Sequence, residues 1–169
     1  MTGAPYRPLE LFAALNRHGV DFLVIGGIAV QAHAVPRSTL DVDIVIDRAP
    51  ANVRRLRDAL ADLDPPETVV DPLSHVELDP RDEVDLAPGR LLPIPTRAGR
   101  LDLVADPPGA DHYPTMAERA VALEIDGVAF RVVGLDDLIA MKRAAGRPKD
   151  LLDLADLTAP GPRRDGEDD

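Results

Sequence analysis

The segment FLVIGGIAVQAHAVPRSTLDVDIVI, residues 22–46, is the most apolar part of the chain, yet it contains Asp41 and Asp43. Short apolar runs bounded by glycine or proline are typical of buried strands. Alternate residues of a strand face the same side, so these two aspartates are expected to project side by side. Because burying neighbouring carboxylates without compensation is costly, the fold must either expose this pair or supply a positive partner.

The rest of the chain predicts a succession of helices and strands. Apolar residues at helical spacing, or alanine-rich runs, predict helices over 8–19, 28–35, 49–64, 135–146 and 149–157. Short apolar runs predict strands over 20–27, 40–47 and 99–106, and a DG pair between two such runs predicts a hairpin over 122–134. Residues 65–95 alternate proline, aspartate and short apolar pieces, which indicates irregular strands and loops, and HYPT at 112–115 is typical of a loop.

Composition limits the class of protein. With 169 residues and 45% hydrophobic side chains, the chain can form one domain, which we place at 1–158 with C-terminal helices within 135–157. Residues 159–169 are expected to form a disordered acidic tail. The lack of cysteine excludes disulfides and thiolate chemistry. Without a signal-peptide pattern or an apolar stretch of roughly 18 residues, a cytoplasmic protein with no membrane contact is expected.

The formal net charge of −11 argues against a general nucleic-acid-binding protein. Any phosphate-binding surface must therefore be local. The densest basic cluster comprises Lys142, Arg143, Arg147 and Lys149. It is consistent either with a solvated helix face or, for Lys142, with internal salt bridges to the last helix.

The aspartate pair itself has two interpretations. A D-x-D pattern in a strand is most often a solvated edge or the flank of a turn. Alternatively, a divalent cation neutralises the pair, because Mg²⁺ prefers carboxylate oxygen and keeps waters for a phosphate partner. Asp102, in the later apolar run RLDLV, supplies a third carboxylate if its strand lies beside that of Asp41 and Asp43. Three such groups suit two metal ions about 4 Å apart, the geometry of in-line phosphoryl or nucleotidyl transfer.

Residues upstream of the pair favour the metal interpretation. Gly26 and Gly27 end a buried strand, where glycine lets the backbone approach a ligand and open a helix whose N-terminus favours phosphate. Arg37, Ser38 and Thr39 add a cation and two hydroxyls directly before the carboxylates. A Ser or Thr at this place is equally consistent with a helix cap.

The motifs GGIAVQAHAVPRSTLDVDIVI and RLDLV resemble those of the nucleotidyltransferase superfamily with a polymerase-β-like fold. More narrowly, the chain resembles small bacterial nucleotidyltransferase-like proteins related to the toxin component of AbiE-type abortive infection systems. The match is close over residues 20–46, and GLDDLIAMKRAAGRPKDLLDLADL, residues 134–157, is similar to a lysine-bearing C-terminal element of these proteins. The resemblance implies an α/β (α+β) fold with a small mixed β-sheet flanked by helices.

The resemblance also implies roles for individual residues. Asp41, Asp43 and Asp102 would be the catalytic residues and would bind two Mg²⁺ ions, with Asp102 also accepting or orienting the proton of the attacking hydroxyl. The two glycines would lie against the triphosphate, and basic side chains would neutralise phosphate charge. The nucleotide-binding set is then Gly26, Gly27, Arg37, Ser38, Thr39, Lys142 and Lys149.

The expected function is that of a Mg²⁺-dependent nucleotidyltransferase, which moves a nucleoside monophosphate from an NTP to an acceptor hydroxyl and releases pyrophosphate. The acceptor could be a protein or a tRNA, as in toxin–antitoxin systems, or a small molecule such as a polycationic antibiotic. A different class is a catalytically inactive nucleotidyltransferase-fold module that binds a cognate partner protein.

Overall fold

The structure is a computed structural model that describes residues 5–86 and 91–160. Within these ranges the chain forms six helices and eight strands. The helices are α1 (Pro8–Arg17), α2 (Gly26–His33), α3 (Pro50–Ala61), α4 (Tyr113–Arg119), α5 (Leu135–Ala145) and α6 (Pro148–Thr158). The strands are β1 (Phe22–Ile25), β2 (Asp41–Ile46), β3 (Val69–Val70), β4 (Glu77–Leu78), β5 (Leu91–Thr96), β6 (Gly99–Val104), β7 (Val121–Ile125) and β8 (Val128–Val132).

Six strands form one mixed sheet in the order β5–β6–β2–β1–β8–β7, and β3 pairs with β4 in a separate small sheet. β2 is antiparallel to β1 and parallel to β6. β1 is parallel to β8, and the two outer pairs are antiparallel. The pairing of β2 with β6 places two aspartate-bearing strands side by side, although residues 47–98 separate them in the sequence.

Two groups of helices pack around the sheet. α1 contacts α3, β6 and β8, whereas α2 contacts β1 and β2 and is joined by α5 and α6. In the first group, the buried ring of Phe12 stacks on Phe22 and Phe130, with centroid distances of 5.9 and 4.6 Å. Because aromatic side chains bury large apolar areas, this contact fixes α1 against the sheet. None of the described helices is long and apolar enough to cross a membrane.

The predicted helices and strands are present, with ends that differ by a few residues. The strand predicted over 20–27 ends at Ile25, because Gly26 already begins α2. The predicted hairpin forms β7 and β8 around Asp126 and Gly127, which have φ of 50° and 77°. Positive φ at both central residues is the backbone that a type I′ turn requires.

Two predictions need correction. The loop predicted at 112–115 is wrong, because Tyr113 begins α4 and Pro114 occupies its first turn, where a missing N–H costs no hydrogen bond. In the irregular segment 65–95, β5 is a regular edge strand. Its Pro93 and Pro95 are tolerated because an edge strand is paired on one side only. Residues 87–90 of that segment, and 161–169 of the predicted tail, lie outside the described residues, and the single-domain assignment stays a prediction.

Candidate active site

The parallel strands β2 and β6 carry the acidic side chains of the site. Their register pairs Asp43 with Asp102 and Asp41 with Arg100. Alternate residues of a strand face the same side, and residues in register across the pair do so as well, so all four side chains lie on one face. The structure therefore brings together the three carboxylates that the sequence indicated, and it places a guanidinium among them.

Arg100 forms a two-pronged ion pair with Asp102. Its Nε donates to Oδ1 of Asp102 and its Nη2 donates to Oδ2, both at 2.6 Å. The Asp102 side chain is 4% exposed, whereas that of Arg100 is 50% exposed. This contact was not among the sequence predictions, although the i, i+2 spacing of Arg100 and Asp102 on one strand indicates that they share a face.

Burial, together with neighbouring carboxylates, raises the pKa of Asp43 and of Asp102. The pKa of Asp43 is raised to about 6, first by burial and then by the negative charges of Asp41 and Asp102. Burial also raises the pKa of Asp102, and the hydrogen bonds from Arg100 counteract part of this effect. Burial and like charge thus disfavour the ionised form of Asp43, and a cation bound beside it would relieve both effects.

Two glycines allow the start of α2 to lie against these carboxylates. Gly26 has a φ of 63°, and a Cβ added to it would stand 2.1 Å from Oδ2 of Asp43. A Cβ at Gly27 would stand 2.8 Å from Oγ1 of Thr39, which itself donates a hydrogen bond to Oδ1 of Asp41 at 3.1 Å. Both distances are shorter than real side chains permit, so this approach of the helix depends on glycine at each position.

A buried ionic cluster attaches the C-terminal helices to the site. Lys142 of α5 forms ion pairs with Asp150 at 3.0 Å and with Asp153 at 2.7 Å, both in α6. Arg37, from the segment between α2 and β2, also pairs with Asp153, and Arg147 pairs with Asp150. Of the two interpretations of Lys142, the structure shows internal salt bridges to the last helix.

The acidic strands, the glycines and the ionic cluster line one open cavity of about 470 Å³, a volume typical of ligand sites. The predicted residues in its wall are Gly26, Gly27, Arg37, Thr39, Asp41, Asp43, Asp102, Lys142 and Lys149. Ser38 is exposed and is not part of the wall. Wall residues that the sequence did not indicate include Leu91, Arg100, Val104, Pro107, Leu138 and Met141, and Arg147 of the basic cluster also lines the cavity. Nothing local in the sequence marks the apolar members, which reach the cavity through packing.

The donor set fits a divalent cation in its chemistry. Asp41 and Asp43 offer carboxylate oxygens, which Mg²⁺ prefers, and the raised pKa of Asp43 indicates uncompensated charge. In the part of the chain that the structure describes, however, no three acidic or histidine side chains are grouped closely enough to hold a metal ion. Both oxygens of Asp102 are bonded to Arg100 instead. Metal binding by these residues stays a prediction.

Comparison with known proteins connects this arrangement with a family. Residues 9–158 match the family described as "Nucleotidyltransferase of unknown function (DUF6036)". A candidate nucleotidyltransferase from Thermotoga maritima, seen in a crystal structure, is similar with a TM-score of 0.56 and 13% sequence identity over 86% of each chain. An antigenic nucleotidyltransferase-like protein from Paracoccidioides brasiliensis has a TM-score of 0.49 and 16% identity, over 91% of this chain and 78% of that one.

The similarity to the Thermotoga maritima protein confirms the predicted fold, a mixed α/β domain of nucleotidyltransferase type. At 13% identity it does not extend to substrates. No protein with a curated function matches the sequence.

Replacing Gly26 with alanine should destabilise the protein more than the same change at Gly127. Both glycines have positive φ, so the backbone strain of roughly 1–2 kcal/mol is common to both. A Cβ at position 26 would in addition meet Asp43, whereas one at position 127 meets no described atom within 4 Å. Urea unfolding measures the two losses in free energy of unfolding, and equal losses would contradict the close approach of helix and carboxylate.

The change Asp43→Asn should stabilise the metal-free protein at pH 8 but not at pH 4. A carboxyl whose pKa rises from 3.8 to about 6 on folding binds more protons when folded. Its stabilising contribution is complete below the unfolded pKa and is lost as the pH rises through the folded pKa. After allowance for solvent screening, we expect a gain of about 1–3 kcal/mol at pH 8. Urea unfolding in the presence of a chelator at both pH values measures the gain in free energy of unfolding. An equal gain at pH 4 and pH 8 would refute the raised pKa of Asp43.

The change Asp150→Asn should lower the free energy of unfolding at pH 7 by about 1–3 kcal/mol, because Lys142 loses one of its buried partners. Burial acts to raise the pKa of Asp150, but hydrogen bonds from Arg147 and Lys142 lower it to about 2. The contribution of Asp150 is therefore present above pH 3.8 and decreases as the pH falls towards 2.

The exposed Asp156 of the same helix provides the matched control for this change. Asp156→Asn should leave the free energy of unfolding within about 0.5 kcal/mol of the original. If both changes have equally small effects, the ionic cluster does not hold α6 in place.

Proposed function

Because the chain belongs to the nucleotidyltransferase family that matches residues 9–158, we propose that it transfers a nucleoside monophosphate from an NTP to an acceptor hydroxyl, with Mg²⁺ as cofactor and pyrophosphate as leaving group. One observation carries the proposal. Asp43 and Asp102 stand opposite each other on neighbouring strands, in a cavity that the glycine-opened helix α2 also lines. A family relation supports nucleotidyl transfer in general, and this geometry supports the specific reaction.

The acidic residues would have distinct tasks. Asp41 and Asp43 would hold the cation, since both line the cavity and offer the carboxylate oxygens that Mg²⁺ prefers. A bound Mg²⁺ would polarise the phosphates and offset the charge that develops on them. Asp102, which is almost completely buried, would accept or orient the proton of the acceptor hydroxyl.

The phosphates would lie between the start of α2 and the start of α6. Gly26 and Gly27 let the start of α2 lie against Asp43 and Thr39, so this end of the helix lines the cavity, and helix N-termini favour anions. Lys149 is exposed and lines the same cavity. Lys142, Arg37 and Arg147 are already paired with acidic side chains, so they would act mainly by positioning α6.

The charge distribution favours a protein acceptor over a tRNA. A tRNA would need a continuous basic stripe that includes Arg37 and the 142–149 cluster. Arg37, Lys142 and Arg147 are instead neutralised by Asp150 and Asp153. With a net charge of −11, the chain is better suited to a basic region of a partner protein, such as a toxin–antitoxin partner, or to a polycationic small molecule.

A second candidate function is that of a binding module without catalysis. The observation that favours it is the ion pair of Arg100 with Asp102, which occupies the third carboxylate. Such a module would bind a nucleotide or a cognate partner protein but transfer nothing. Isothermal titration with NTP, with and without Mg²⁺, tests binding, and the transfer assay below tests catalysis.

Incubation of the protein with labelled ATP, GTP, CTP and UTP in a lysate should label an acceptor in the presence of Mg²⁺ and not with EDTA. Asp41→Asn and Asp43→Asn should reduce labelling by at least about 100-fold, because they remove direct cation ligands. Asp156→Asn, an exposed aspartate of α6 outside the cavity, is the control and should retain full labelling. Labelling that survives Asp43→Asn would exclude the proposed reaction, and nucleotide binding without any labelling would favour the binding module.

A further inference from the structure

Asp102 has a partner that must be removed before it can serve a cation. Its carboxylate is 4% exposed, and each of its oxygens accepts a hydrogen bond of 2.6 Å from Arg100. A buried carboxylate without a positive partner is strongly unfavourable. The guanidinium therefore supplies the positive charge that this buried carboxylate needs.

Arg100 is much more exposed than its partner. Its side chain is 50% exposed and lines the open cavity, whereas that of Asp102 is 4% exposed. The register places Asp41 directly across from Arg100, so one guanidinium faces three carboxylates when Asp43 is included. The four side chains share one face of the β2–β6 pair, where a divalent cation would bring one more positive charge than the guanidinium does.

We propose that Arg100 is a latch on Asp102, which a divalent cation displaces to complete the three-carboxylate site. The inference rests on the proposed function, because it gives the displaced state a role in nucleotidyl transfer. With the latch closed, Asp41 and Asp43 offer a partial, weaker cation site. With the latch open, Asp102 joins them, and the guanidinium is free to turn into the cavity towards the phosphates of an NTP.

The competition predicts a specific pattern of cation affinity. We call the two parallel hydrogen bonds from Arg100 to Asp102 the fork. Removing the fork should strengthen cation binding, because the cation no longer has to break a charge-assisted pair. Removing a nearby positive charge that makes no such pair should have a smaller effect, by Coulomb attraction alone. Lys149 is the matched case, since its charge acts on both Asp43 and Asp102 and it lines the same cavity.

Binding of Mn²⁺ alone, followed by electron paramagnetic resonance on the full chain, tests the latch. Arg100→Met should raise the affinity for Mn²⁺ by about 10- to 100-fold. Arg100→Lys, which keeps the charge but loses the fork, should raise it by roughly 3- to 10-fold. Lys149→Met should raise it by about twofold. Circular dichroism shows whether each variant folds, and Arg100→Lys carries the test if Arg100→Met does not.

The outcomes separate the latch from the proposed function. If Arg100→Lys binds Mn²⁺ as the original protein does, and Lys149→Met matches Arg100→Met, charge alone controls affinity and the latch is refuted while the metal site stands. If neither the original protein nor any variant binds Mn²⁺, both the latch and the proposed metal-dependent reaction are refuted. If Arg100→Met and Arg100→Lys both bind Mn²⁺ more tightly than Lys149→Met does, the loss of the fork controls the affinity and the latch is supported.

Discussion

The close placement of three carboxylates on the paired strands β2 and β6 is the constraint on which the rest of the site depends. Asp43 and Asp102 are neighbours in a parallel register, and Asp41 lies on the same face. Burial, and then the negative charges of Asp41 and Asp102, raise the pKa of Asp43 to about 6. A fold that keeps buried carboxylates so close together must place positive side chains near them or bind a cation from solution.

Positive side chains that offset the charge of these carboxylates come from the sheet and from the C-terminal helices. Within the sheet, Arg100 reaches along its own strand to Asp102. From the C-terminal helices, Lys149 reaches the same cavity, and Lys142 anchors α6 through Asp150 and Asp153. The C-terminal helices are therefore part of the site rather than an addition to the domain, because their position determines where positive charge stands relative to the acidic strands.

Much of this arrangement could be predicted from local pattern. The apolar runs gave the strands, the DG pair gave the hairpin, and the spacing of Asp41 and Asp43 gave a shared face. Local pattern predicts a loop at 112–115 and misses the start of α4, because Pro114 is favourable in a first helical turn. It also missed β5, because Pro93 and Pro95 conceal a strand that is acceptable at a sheet edge.

The sequence by itself determined which side chains share a strand face, where glycine opens a helix, and that three acidic residues lie in strands of a nucleotidyltransferase pattern. These properties depend on residues a few positions apart, and alternation or helical spacing records them directly. Only the tertiary structure decided that Asp41 faces Arg100, that Arg100 holds Asp102, and that Lys142 turns to α6. Strand register and the partner of a long charged side chain depend on packing between distant segments, and no local pattern encodes them.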